Sequence, residues 1–349
     1  MRLLIHEWCC SGGLSGPDVS CVVEPGADCS SLEREGRAMF RSLVADAVRD
    51  GGFEVIALVD AARPVDLPPA VRRIDVGAST EVERLVAAAR DVDGTIVVAP
   101  ETGGVLAARV AAVRAAGGRV LAPSDGFMSL AADKQATVDA LAAAGVPVPA
   151  GRSLAAGEPW PDAFRLPAVR KARASTGCDG LQFIGPGEPP PRPAPLATRI
   201  EAWCAGTSVG VSCILGPRGV VPLATVRQVF TPGYGAYVGG SPLDDAGMRT
   251  RAERLALRSV EALARRDQSP SVGWVGVDII LGSRADGLDD RVLEVNPRVT
   301  TSFVGLAPAA PASLVRVIVA AAQGRAVDRR PFPSTCRFAL TDDVPCPVP

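Results

Sequence analysis

Over its first third the chain alternates short apolar runs with stretches of helical spacing. Leu3, Leu4 and Ile5 form a brief strand ahead of a glycine-rich turn, Ser11-Gly12-Gly13. Residues 32–50 carry Phe40, Leu43, Val44, Ala47 and Val48 on one helical face, and Gly51-Gly52 stops the helix. Strands are predicted over 53–59, 95–99 and 120–122. Helices are predicted over 80–90, with Thr80 as N-cap, and over 104–116, stopped by Gly117-Gly118. Strands alternating with helices predict a parallel sheet covered on both faces, ending near Pro123.

Beyond that point strands dominate. A helix over 129–144, starting near Asp133-Lys134, is stopped by the run from Gly145 to Pro149, and a strand over 168–172 carries Lys171. A small polar loop, Ser175-Thr-Gly-Cys-Asp-Gly180, follows, then a Pro-rich connector over 185–195. Strands at 199–204, 209–215 and 220–230 precede a glycine-rich loop, 231–240, that holds Tyr234 and Tyr237. After a helix over 245–266, apolar runs at 273–281 and 292–296 read as a hairpin joined by the polar run 282–291. A helix over 312–323 comes last, and the Pro-rich tail is expected to pack loosely or fray. No internal repeat is evident.

At 349 residues and a net charge of -1, the chain has room for two or three domains and lacks the basic stripe that nucleic-acid binding needs. The first ten residues hold Arg, His and Glu and read as no signal peptide. The longest uncharged run, 299–315, contains two prolines and makes a poor membrane span. Nine cysteines without a C-x-x-C, beside a single histidine, argue against structural zinc and for free thiols in a cytoplasmic protein. Cys9-Cys10 reads as small residues near a strand end. His6, in the first strand, is read as a structural residue, with a substrate contact as the other reading, so neither a Cys–His nor a Ser–His catalytic system is expected.

One scarcity changes the picture. The chain is rich in arginine but has two lysines, Lys134 and Lys171, and one asparagine, Asn296. A compositional pressure toward Arg should leave lysine where a compact ammonium is required. In the strand 292–296, Glu294 and Asn296 share a face, because strand side chains alternate. A symmetric hairpin register sets Asp278 opposite Glu294. Three hard oxygen donors then converge, a set suited to Mg²⁺. The glycine loop from Ser175 to Gly180 is of the kind whose backbone N–H groups close on phosphate. The loop from Pro100 to Gly104, at the carboxyl end of a strand, reads either as a substrate-holding loop or as a plain turn.

These pieces, from about residue 124 to about 323, resemble the ATP-grasp superfamily, and within it ligases of the tyramine–L-glutamate type from methanofuran biosynthesis. The resemblance rests on Glu7 with Ser11-Gly-Gly-Leu14, on Ala99-Pro-Glu-Thr102, on Asp133-Lys134-Gln-Ala-Thr137, and above all on the run Glu294-Val-Asn-Pro-Arg-Val-Thr-Thr-Ser302 with Asp278 upstream. It implies an ATP-grasp α/β fold (α+β): an N-terminal parallel-sheet domain over 1–123, a small lid subdomain over 124–195, a C-terminal antiparallel-sheet catalytic subdomain over 196–325, and a tail over 326–349. By the same resemblance Lys134 and Lys171 contact nucleotide phosphates. Ser175, Thr176, Gly177 and Gly180 close over them, and Glu201, Trp203 and Cys204 flank adenine. Asp278, Glu294 and Asn296 hold two Mg²⁺ ions (or Mn²⁺), and Arg298 neutralises the transferring phosphoryl group. Two departures stand out: Ser208 occupies the place of a ribose-binding acid, and Gly276 that of an arginine, leaving its work to Arg298 or Arg227.

The implied reaction is an ADP-forming carbon–nitrogen ligation through an acyl phosphate, with glutamate as carboxylate and an aromatic amine such as tyramine or tyrosine as acceptor. Tyr234 and Tyr237 either stack on that acceptor or pack their own loop. The rival readings are an ATP-grasp ligase for another carboxylate and amine, and a nucleotide-binding protein without turnover. A Rossmann oxidoreductase would need a dinucleotide fingerprint that the first turn lacks. Small-molecule substrates and a homodimer are expected, with neither nucleic acid nor membrane as partner.

Overall fold

The computed structural model describes residues 1–23, 28–175, 180–231, 237–267, 269–327 and 337–340. Four parallel strands, β1 (Arg2–Glu7), β2 (Glu54–Asp60), β3 (Arg72–Val76) and β4 (Gly94–Val98), build the N-terminal sheet in the order β3-β2-β1-β4. Its faces are covered by α2 (Ser30–Asp50) on one side and by α3 (Glu81–Arg90) and α4 (Val105–Ala115) on the other, with a short α1 (Val19–Val22) ahead of them. Leu3 and Ile5 pack on the α2 side and Leu4 on the other, as alternation along a strand requires. Gly51 ends α2 at φ 72, a left-handed position that glycine occupies without steric cost.

Here one local expectation fails, one is met in part and one strand was not foreseen. Val120 makes one parallel bridge to Thr95 in place of a strand over 120–122, because Pro123 ends the pairing. Thr80 holds the N-cap position of α3, as expected, but its hydroxyl accepts from Gly77 N at 3.1 Å and closes the preceding turn, with no side-chain bond to the helix. The strand Arg72–Val76 escaped the apolar pattern because it is an exposed sheet edge rich in charge.

The helix expected over 129–144 is two helices, α5 (Asp125–Ala132) and α6 (Lys134–Ala143). Asp133 breaks them: it accepts from Gln135 N at 2.9 Å and Ala136 N at 3.1 Å as the N-cap of α6. A small antiparallel sheet follows, β5 (Gly151–Leu154), β6 (Ala168–Ala172), β7 (Gln182–Ile184) and β8 (Thr198–Ala202), in the order β5-β8-β6-β7. It has its own core of Leu154, Trp160, Ala168, Ile184 and Ile200. β8 lies past the boundary expected at 195, yet it pairs at the centre of this sheet.

The large antiparallel sheet contains β9 (Thr207–Gly216), β10 (Gly219–Phe230), β11 (Tyr237–Pro242), β12 (Gly273–Leu281) and β13 (Arg291–Asn296), in the order β13-β12-β9-β10-β11. Helix α7 (Ala246–Arg266) buries Leu255, Val260 and Leu263 on one face. On the other face α8 (Ser302–Ala309) and α9 (Leu314–Ala322) join a core continuous with α2, through Trp274, Phe303 and Ile318. Asp46 of α2 accepts from Ser313 Oγ and Val315 N, both at 2.8 Å, which fixes the start of α9 to the N-terminal part. The tail is not loose where it is described. Phe338–Ala339 forms β14 on the edge of β11, and the Phe338 ring is buried over Gly240 and Gly305. Tyr237 likewise belongs to a strand and not to a loop; Tyr234 lies outside the described residues. Among the described residues no single helix is long and apolar enough to cross a membrane.

Candidate active site

A cavity of about 380 Å³ opens between the small and large sheets, and Glu35 of α2 reaches its rim. It is lined by Lys134, Lys171, Glu201, Trp203, Cys204, Asp278, Glu294, Asn296 and Arg298, residues drawn from distant parts of the chain. Its volume lies in the range of small-molecule sites.

The hairpin register agrees with the expectation from symmetry: Asp278 pairs with Glu294, and a bulge follows before Ile279. Asp278 is buried. Its Oδ2 accepts from Asn296 Nδ2 at 2.8 Å and its Oδ1 from Gln228 Nε2 at 2.7 Å. Burial and the nearby charge of Glu294 push its carboxyl up to about 6. Two carboxylates and an amide oxygen, set together so that the acids repel each other, form a site that a divalent cation would relieve. The donors are all oxygen, so the set fits Mg²⁺ or Mn²⁺.

The lysines stand opposite. The break at Asp133 makes Lys134 the first residue of α6 and turns it inward. Its Nζ donates to Glu294 Oε1 at 2.8 Å and to the Ser175 carbonyl at 2.6 Å. Lys171 reaches Glu201 Oε1 at 2.7 Å, and Arg199, fully buried, holds the other oxygen of Glu201 at 3.1 Å. The expected edge contact of Glu201 is therefore spent on two cations, and the cavity wall beyond it is the backbone over 202–206 and the Trp203 ring, which packs edge-on to Phe183 at 4.9 Å. Burial raises the Cys204 thiol above its ordinary range. Two ammonium groups beside an apolar wall suit a phosphorylated ligand with a planar base. Ser175 enters through its carbonyl, Gly180 lies on the exposed surface with φ 69, and Thr176 and Gly177 fall outside the described residues.

Arg298 is half-buried, with its side chain 8% exposed, and pairs with Glu101 at 2.9 Å. Burial alone would lower its pKa, but Glu101 more than offsets this and keeps the guanidinium charged. The loop over 100–104 thus touches the site only through the pair of Glu101 with Arg298, which lines the cavity, a role that its sequence left undecided. At Gly276 a Cβ would lie 2.5 Å from Thr300 Cγ2, so the place of the missing arginine is filled by Thr300. Thr300, Ser302 and Ser212 form a chain of hydroxyls at 2.9 and 3.0 Å, with Trp274 Nε1 donating to Thr300 at 3.2 Å.

Sequence reasoning missed Gln228 and Glu35. A lone glutamine on a long strand carries no motif; the signal was its alternation, since residues 226 and 228 both face the cavity. The motif around Glu7 plays another part. Its carboxylate accepts from Cys9 N at 3.2 Å and Cys10 N at 2.9 Å and shapes the first turn. His6 bonds Glu81 at 2.6 Å, deep in the N-terminal part, while its Nδ1 has no partner among the described residues.

The family model described as ATP-grasp domain matches residues 131–302, and that described as pre ATP-grasp 3 domain matches residues 53–125. Among solved structures, the fold is similar to that of an ATP-grasp superfamily protein from Archaeoglobus fulgidus, at 19% identity over 94% of this chain and 90% of that one, TM-score 0.64. It is similar to an L-amino acid ligase from Bacillus licheniformis, at 14% identity over 95% and 77%, TM-score 0.66. It is also similar to a carboxyaminoimidazole ribonucleotide synthase from Aspergillus clavatus complexed with ATP, at 16% identity over 95% and 78%, TM-score 0.63. No curated protein sequence matches the chain.

Proposed function

We propose that this chain, which belongs to the ATP-grasp superfamily, is an ATP- and Mg²⁺-dependent carboxylate–amine ligase that forms an amide and releases ADP and phosphate. The observation that carries the reading is the convergence in one cavity of both lysines, the Asp278–Glu294–Asn296 oxygen set and Arg298. The fold likeness to an L-amino acid ligase supports it.

Lys134 and Lys171 would exchange their carboxylate partners for phosphate oxygens, and the wall at 202–206 would take the base. Asp278, Glu294 and Asn296 would hold the metal, which supplies charge neutralisation across the phosphates when bound. The carboxylate substrate, drawn to Arg298, attacks the γ-phosphorus; the bond to ADP breaks and an acyl phosphate forms. The amine nitrogen then attacks the acyl carbon, phosphate leaves, and the nitrogen gives up a proton. Glu35, Phe230 and Tyr237 line the same cavity, and a carboxylate beside two rings packed edge-on at 5.7 Å suits an aromatic ammonium. Glutamate with tyramine or tyrosine is the pair favoured by the sequence resemblance, with cytoplasmic location and homodimer formation proposed on the same ground.

Hydroxylamine tests the reading, because it intercepts an acyl phosphate as a hydroxamate. With Mg²⁺·ATP and glutamate the parent should form hydroxamate without added amine, and Lys171→Ala or Glu294→Ala should lower the rate roughly 10²–10³-fold. Near-parent rates in either variant would remove these residues from the site.

A further inference from the structure

The side chain of Gln228 bridges Ser208 and Asp278. Ser208 Oγ donates to its Oε1 at 2.6 Å, and its Nε2 donates to Asp278 Oδ1 at 2.7 Å. An ionised carboxylate accepts and cannot donate, so the amide must show it nitrogen. With the nitrogen turned to Asp278, the amide oxygen faces Ser208, whose hydroxyl can donate as well as accept and here donates. Asp278 therefore selects the orientation of the amide, and Ser208 holds its other end. Asn296 holds the other oxygen of Asp278 from the opposite side at 2.8 Å, which leaves the carboxylate plane fixed between two amides. Gly210, whose missing side chain leaves space beside both groups, keeps the chain of contacts at the cavity surface.

We infer that Gln228 is a positioning residue for the metal site, locked by Ser208, so that a hydroxyl with no contact to any of the three oxygen donors governs how Asp278 presents itself. The inference rests on the reading of Asp278, Glu294 and Asn296 as metal ligands. Groups that orient ligands in this way commonly change metal affinity 10–100-fold when removed. Loss of the Ser208 hydroxyl takes away the donor that holds Oε1, so the side chain keeps one of its two anchors and presents Nε2 to the carboxylate less firmly. Ser208 would then matter to metal binding only through Gln228, a dependence that a direct contact of Ser208 with nucleotide would not show.

The test is Mn²⁺ affinity at saturating ADP, read from the electron paramagnetic resonance signal of free Mn²⁺, in the parent and in Ser208→Ala, Ser208→Thr, Gln228→Met and the double variant Ser208→Ala/Gln228→Met. The inference expects Gln228→Met to weaken Mn²⁺ binding about tenfold. Ser208→Ala should weaken it as well, Ser208→Thr should restore it, and the alanine effect should vanish in the Gln228→Met background. Parent-like affinity in Gln228→Met, or an alanine effect that persists in the double variant, would overturn it. A parent that binds neither ADP nor Mn²⁺ would overturn the ligase reading together with the relay, and it is told apart because the parent itself fails.

Discussion

Lys134 and Lys171 are both buried, and each is held by a carboxylate, Glu294 and Glu201 respectively. An unpaired ammonium in such a place would be too costly, so these contacts keep the cavity charged and ordered until an anion of the ligand replaces them. The same logic governs a second buried network, which the cavity does not use. Glu81 accepts from His6 at 2.6 Å and from Arg109 at 2.6 Å. Burial alone would raise its carboxyl, but the bonds and charges of His6 and Arg109 outweigh burial and hold it at about 2, below its ordinary 4.5. A depressed carboxyl stabilises the fold in full above its unfolded value and loses that stabilisation as pH falls from 4.5 toward 2. The shift is worth roughly 3 kcal/mol at neutral pH, of which about 2 kcal/mol is gone by pH 3. Urea melts at pH 7 and pH 3 should therefore show a smaller acid loss in Glu81→Gln than in the parent, by about that amount. Equal losses would show that the pair carries no such linkage. At this scale the sequence was legible where a rare residue type or a motif marked a position: the lysines, Asn296, Asp278 and Glu294 were singled out, and they line one cavity. Gln228, Glu35 and the role of Glu101 were not, because their significance lies in what they touch across the fold.

At the scale of elements, periodicity located most strands and helices, and it failed where a single residue overrode it. Asp133 is polar enough to cap α6 and so divides an apolar stretch that reads as one helix. The division also aims Lys134 at Glu294. Strand β14 was hidden for a different reason. Two residues pair with β11, far too few for a pattern, and their placement depends on the gap left by Gly240 and Gly305. Phe338 fills that gap and is 4% exposed. Phe338→Ala should lower unfolding free energy by about 3–5 kcal/mol, with the denaturant midpoint as the measure. A loss below about 1 kcal/mol would mean that the tail adds little to the core.

At the scale of the molecule, three sheets have separate hydrogen-bond networks, and two of them, the parallel and the large antiparallel sheet, share a core. α2 packs on the parallel sheet and against α8 and α9, and its Asp46 caps the last helix. The cavity inherits this arrangement: the small sheet brings Lys171 and Glu201, the large sheet brings the oxygen donors, and the N-terminal part brings Glu35 at its rim and, through the pair with Arg298, Glu101. A site assembled from all three parts suits a reaction that must hold three substrates at once and keep water from the activated acid. The most direct test of this account is ADP release from Mg²⁺·ATP with glutamate and tyramine supplied together and singly, with the product followed by mass. The account predicts ADP formation that requires both substrates and yields one amide per ADP. ADP release indifferent to carboxylate and amine, or none despite bound Mg²⁺·ATP, would contradict it.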